Sequence, residues 1–85
     1  MNKAQREWIY NLPLTAEGKI LLMYICDNDG ETITYTQMLQ VTSRSRQTNR
    51  GLLNNMEFMG WVIREKNGID PSNGDRYYKG DKLFK

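Results

Sequence analysis

Residues 43–62 read S-R-S-R-Q-T-N-R-G-L-L-N-N-M-E-F-M-G-W-V, and their two halves follow different rules. The first half is polar and carries Arg44, Arg46 and Arg50 with no acid. The second turns apolar at helical spacing through Leu52, Leu53, Met56 and Met59. A surface helix normally keeps one apolar stripe along its whole length. Here the front lacks that stripe, so the spacing predicts a helix whose start projects beyond the core. A start lined with Arg, Gln, Thr and Asn carries the donors and acceptors that read base edges and phosphates.

Working toward the N-terminus, Thr34-Tyr35-Thr36-Gln37 forms a capping box, with Thr34 at the N-cap and Gln37 at the third position. Ile33 and Met38 are placed as its hydrophobic staple. This predicts a short helix ending near Gln40 or Val41, a tight turn, and Ser45 (or Ser43) capping the next helix, which stops near Gly60. A short strand, 31–33, precedes the box. Upstream, Thr15 caps a helix running to about Asn28, with Asn28-Asp29-Gly30 as the stop and Gly30 free to take positive φ. Seven consecutive apolar residues, Ile20 to Cys26, reach right around that helix. Its far side needs cover, from the Trp8 segment or from a second copy. Residues 3–12 form a further short helix with Ala4, Trp8, Ile9 and Leu12 near one side, stopped by Pro13.

On the C-terminal side, residues 61–66 are rich in strand formers. Asn67-Gly68 and Asn73-Gly74 flank Asp70-Pro71 in a turn-rich loop, and residues 76–84 return as a second strand. Tyr77 and Tyr78 point to opposite faces of it, one to the core and one to the sheet surface. The order is helix, helix, short strand, helix, turn, helix, hairpin. It predicts an α+β winged helix-turn-helix: a three-helix core with a short strand, a C-terminal two-stranded wing and an extra N-terminal helix. The whole chain, 1–85, is expected to be one such domain, with an extension at 1–12, a helical core at 15–60 and a wing at 61–84.

Charge and composition narrow the function. The net charge is +2, but residues 1–40 hold three Lys/Arg against five Asp/Glu, while residues 41–85 hold nine against five. No acid occurs between Glu31 and Glu57. One end is therefore basic and suits a polyanion. Histidine is absent, which removes Ser-His and Cys-His nucleophile pairs and the commonest metal ligand. Asp27, Asp29 and Glu31 are out of register for a calcium loop, because counting back from Gly30 puts Ile25 at position one. No catalytic residue, metal or cofactor is expected. The lone Cys26 excludes an internal disulfide and, with no apolar run of spanning length or secretory signal, points to the cytoplasm and away from a membrane.

The stretches T-Q-M-L-Q-V, S-R-Q-T-N-R-G-L-L and M-E-F-M-G-W-V resemble bacterial winged helix-turn-helix domains of the multiple-antibiotic-resistance-regulator type, over roughly residues 15 to 84. The resemblance implies a recognition helix beginning at Ser45, Arg46, Gln47, Thr48 and Arg50, with Arg44 just ahead. It also implies wing contacts from Arg64, Lys66 and Arg76. Asn49 departs from the family pattern, which has a small apolar residue there. Either the turn backbone satisfies it or the helix offers it to DNA. Gly51 is a second oddity, since a mid-helix glycine costs ~1 kcal/mol against alanine, and it leaves room for the preceding helix or for a phosphate. Acids at the wing tip, Asp70 and Asp75, would keep wing contacts on the strands. The expected function is a small sequence-specific DNA-binding protein, a transcriptional regulator (a repressor) acting on double-stranded DNA. Control would come from its concentration, a regulatory protein partner or competition for the site, and assembly from a homodimer. The alternatives are a winged-helix protein-interaction module and a replication-origin-binding module.

Overall fold

The computed structural model describes residues 1–68 and 73–85. Among these residues the element order is α1 (Lys3–Tyr10), α2 (Ala16–Asp27), β1 (Thr32–Ile33), α3 (Tyr35–Thr42), α4 (Arg46–Phe58), β2 (Val62–Glu65) and β3 (Asp75–Lys79). Local chemistry sets the helix starts. Thr15 accepts a hydrogen bond from the Gly18 N–H, Thr34 forms the expected reciprocal box with Gln37, and Ser45 accepts from the Thr48 N–H. Asn2 and Gln5 make a second capping box at the head of α1, a start that the sequence pattern had not revealed. That helix ends at Tyr10, earlier than expected, because the chain turns at Asn11 before Pro13. Gly30 takes φ +81°, as its place after α2 requires.

The three strands make one antiparallel sheet in the order β1-β3-β2, with Thr32 opposite Arg76 and Ile63 opposite Tyr78. The short strand ahead of the helix-turn-helix is thus part of the wing sheet. Gly74 makes that junction possible. Its φ is +80°, and a Cβ there would run into the Ile33 carbonyl. β3 stops at Lys79, short of the strand expected over 76–84. Gly80 donates to the Trp61 carbonyl and Lys82 to that of Gly60, so the chain folds into a turn. The turn serves packing. On a strand Leu83 and Phe84 would face opposite ways, whereas here Leu83 is buried and Phe84, at φ +64°, packs edge-on against Trp8 with centroids 5.4 Å apart.

The core joins all the helices to the sheet. Leu21, Leu22 and Ile25 of α2 are fully buried, with Leu53 and Met56 from α4, Met38 from α3 and Tyr77 from β3. Each Leu, Ile or Met among them contributes about 1.5–3 kcal/mol on burial. The all-round apolar α2 finds its cover inside the chain: α1, α3, α4 and β3 pack on it, and α1 buries Ile9 completely. Trp8 is half-buried, edge-on to Trp61 at 6.3 Å. Ile20 alone in the apolar run stays markedly open, at 43%. No helix among the described residues is long and apolar enough to cross a membrane.

Candidate nucleic-acid interface

The turn between α3 and α4 is built around a buried amide. Ser43 closes α3 in the left-handed region (φ 57°), which reverses the chain, and Ser45 opens α4 two residues later. Inside the turn Asn49 is completely buried. Its Oδ1 accepts from the Thr42 hydroxyl at 2.8 Å, and its Nδ2 donates to the Arg44 carbonyl at 3.3 Å. The Thr42 hydroxyl also lies 3.0 Å from the Met38 carbonyl and accepts from the Arg44 N–H at 3.2 Å. One side chain therefore ties the C-terminus of α3, the turn and α4 together. Of the two roles open to Asn49, the turn backbone claims it. It is withdrawn from the candidate DNA-contacting set, because a side chain without accessible surface reaches no base.

The other recognition-helix candidates are exposed: Arg44, Ser45, Arg46, Gln47, Thr48 and Arg50 all face solvent. Ser45 commits its hydroxyl to the cap, which gives it a structural duty as well. No acid sits in the first turn of α4, so the positive end of the helix dipole is unneutralised there. Arg46 lies over the Tyr35 ring, 4.2 Å from its centroid, which holds the guanidinium toward α3. Arg44 donates from Nε and Nη2 to Glu17 in the first turn of α2, at 3.2 and 2.6 Å. The hydrogen bond from Arg44 holds the Glu17 carboxyl below its ordinary pKa.

The wing residues divide. Arg64 is not available. It points inward with its side chain 11% exposed, bonded to Asp75 at 2.9 Å and 3.5 Å from Glu57 of α4. Asp75 is likewise no tip residue: it lies on β3 and also accepts from the Asn67 N–H at 2.8 Å. Asp70 falls outside the described residues. Lys66 and Arg76 remain exposed, and Arg76 directs one donor to the Gly30 carbonyl at 2.8 Å. Arg46 and Lys66 border one cleft of about 270 Å³, between the head of α4 and the base of the wing. Lys66 and Arg76 border the next.

Tyr77 is in the core, where burial pushes its pKa upward, and Tyr78 is half-buried on the opposite face. Burial pushes the Cys26 thiol up to about 11, which leaves it inert at neutral pH. Among the described residues no group of three or more acids, Cys or His is placed to hold a metal.

The exposed face of α4 runs further than the basic and polar residues of its first turns. At 100° per residue, Gln47, Gly51, Asn54 and Phe58 fall within roughly 60° of one another, and all four are exposed, Phe58 by 88%. The midline of the face is thus Gln47-Gly51-Asn54, and Asn54 is a candidate that sequence reasoning missed. The signal was present in the spacing, since Asn54 follows Gln47 by two turns on the side away from Leu53 and Met56. Gly51 leaves no room for α3, because a Cβ built there meets nothing within 4 Å.

No family model matches the chain and no curated protein matches it. Solved structures do. The transcriptional regulator SlyA shares 17% identity with a TM-score of 0.62, over 88% of this chain and 50% of its own. A point mutant of S. aureus MepR shares 22% with a TM-score of 0.63, over 93% of this chain and 56% of its own. The chain spans about half the length of these structures. Both are winged-helix regulators of the multiple-antibiotic-resistance-regulator type. The likeness establishes the fold: an α+β winged helix-turn-helix.

Proposed function

We propose that this protein is a small sequence-specific DNA-binding regulator of transcription, acting in the cytoplasm as a repressor. The N-terminal half of α4 enters the major groove, and the wing braces on flanking backbone through Lys66 and Arg76. The observation that carries this reading is the head of α4. It is an acid-free, exposed helix start bearing Arg46, Gln47, Thr48 and Arg50, pinned at a fixed angle by the buried Asn49–Thr42 pair. Solvated helix faces ordinarily mix both signs of charge to gain spaced ion pairs. Two copies in a homodimer would place their α4 helices on half-sites about one helical turn apart, ~34–36 Å. The 85-residue chain is read as a single winged-helix unit throughout.

Binding to random duplex DNA across a salt series tests the proposal. With Arg44 held by Glu17, Arg46, Arg50, Lys66 and Arg76 predict a slope of log K against log salt of about −4. Replacing Arg50 by Ala is expected to cost ~1–3 kcal/mol and relax preference at one base position. A second reading, docking to a partner protein, is favoured by Phe58, which stands 88% exposed at the far end of α4. It predicts a slope near zero, and that result would reject DNA as the partner.

A further inference from the structure

Gly51 stands at the midpoint of the exposed face of α4, and nothing among the described residues accounts for it. Glycine in a helix interior weakens the helix relative to alanine. What its missing Cβ permits in return is a close approach of the backbone to a neighbour or a ligand. Gly18 shows the internal version: it is buried, and a Cβ on it would sit 3.3 Å from Leu52. A Cβ on Gly51 would find open space to 4 Å, so the room this glycine leaves is room outside the protein. Two exposed carboxamides flank it on the same face, Gln47 one turn before and Asn54 one turn after.

We propose that Gly51 is the point where α4 meets the floor of the groove, and that Gln47 and Asn54 read a base on either side of it, both adenines. This deepens the DNA-binding reading above and rests on it. A carboxamide offers one donor and one acceptor in one plane, the complement of adenine N6 and N7 in the major groove. Seven residues of helix separate the two side chains by ~10.5 Å, about three base steps at ~3.4 Å each. Asn is short, so it reaches a base edge only when the helix backbone is close. Any side chain at position 51 lifts the midline of the helix and takes Asn54 out of hydrogen-bond range first.

The test selects duplex sites from a random pool with the parent chain, then compares Gly51→Ala, Gly51→Leu, Gln47→Ala and Asn54→Ala on the selected site. Gly51→Ala should raise the melting temperature by about 4–8 °C while weakening binding about tenfold, and Gly51→Leu should weaken it further. Asn54→Ala and Gln47→Ala should each erase preference at one adenine, the two positions about three steps apart. Stability rising as binding falls separates contact with DNA from damage to the fold. A Gly51→Ala chain that binds the site like its parent, or that melts no higher, overturns the inference and leaves the DNA-binding reading standing. So does a selected site without those adenines. A parent that binds no duplex at any salt removes both.

Discussion

Asn49 is the residue that holds the α3–α4 turn together. It is polar, fully buried and bonded to both sides of the turn. A buried donor or acceptor left without its partner costs ~1–3 kcal/mol. Asn49→Ala strands the Arg44 carbonyl and takes one acceptor from Thr42, so it is expected to destabilise the fold by that amount in urea unfolding. Thr42→Val removes the other partner. Since the two groups serve each other, the double variant should cost less than the sum, by ~0.5–3 kcal/mol. Strict additivity would mean that the pair does not couple α3 to α4. Sequence alone leaves this residue open between turn and DNA, because both demand the same amide chemistry. Only burial decides between them.

At the scale of elements, capping chemistry was the most legible part of the chain. Thr15, Thr34 and Ser45 each start a helix as their spacing implied, because an N-cap is a local interaction that needs no tertiary partner. What escaped was long-range. Arg64 has the sequence context of a wing cation, yet Glu57 and Asp75 claim it from two different elements. The strand expected over 76–84 ends at Lys79 because Trp8, distant in sequence, draws Phe84 out of the sheet. The Glu17–Arg44 pair is of the same kind, joining the head of α2 to the α3–α4 turn across 27 residues. It turns one candidate phosphate contact back toward its own protein. Glu17→Gln should release Arg44, raising affinity for duplex about two- to fivefold and steepening the salt slope by about one. Adding Arg44→Ala should cancel the gain. A slope that stays unchanged in Glu17→Gln would show that Arg44 never reaches a phosphate.

For the whole molecule, the proposed homodimer calls for a contact that pairs two α4 helices. The sequence-based case for a dimer rests on the apolar run of α2, which needs cover. Most of that cover is internal, and Trp8 is engaged with Trp61 and Phe84. Trp8→Glu would therefore damage the protomer itself and is not a clean probe. Apolar surface remains on the same helix pair at Tyr10, 52% exposed, and Ile20, 43% exposed. The Lys19 ammonium donates to the Tyr10 carbonyl at 2.6 Å, which keeps the end of α1 against α2. The molecule extends 36 × 24 × 21 Å. Half-sites one turn of duplex apart require the α4 helices of two copies to stand ~34–36 Å from one another on one side. The expected contact is the outer α1–α2 face, two-fold and self-complementary. Light scattering at micromolar concentration should give the dimer mass for the parent and the monomer mass for Ile20→Glu. Because Ile20 is already partly in water, that variant should keep its melting temperature within a few degrees, as exposed substitutions usually do. A parent of monomer mass rejects the dimer, and an Ile20→Glu chain that still dimerises moves the interface off this face.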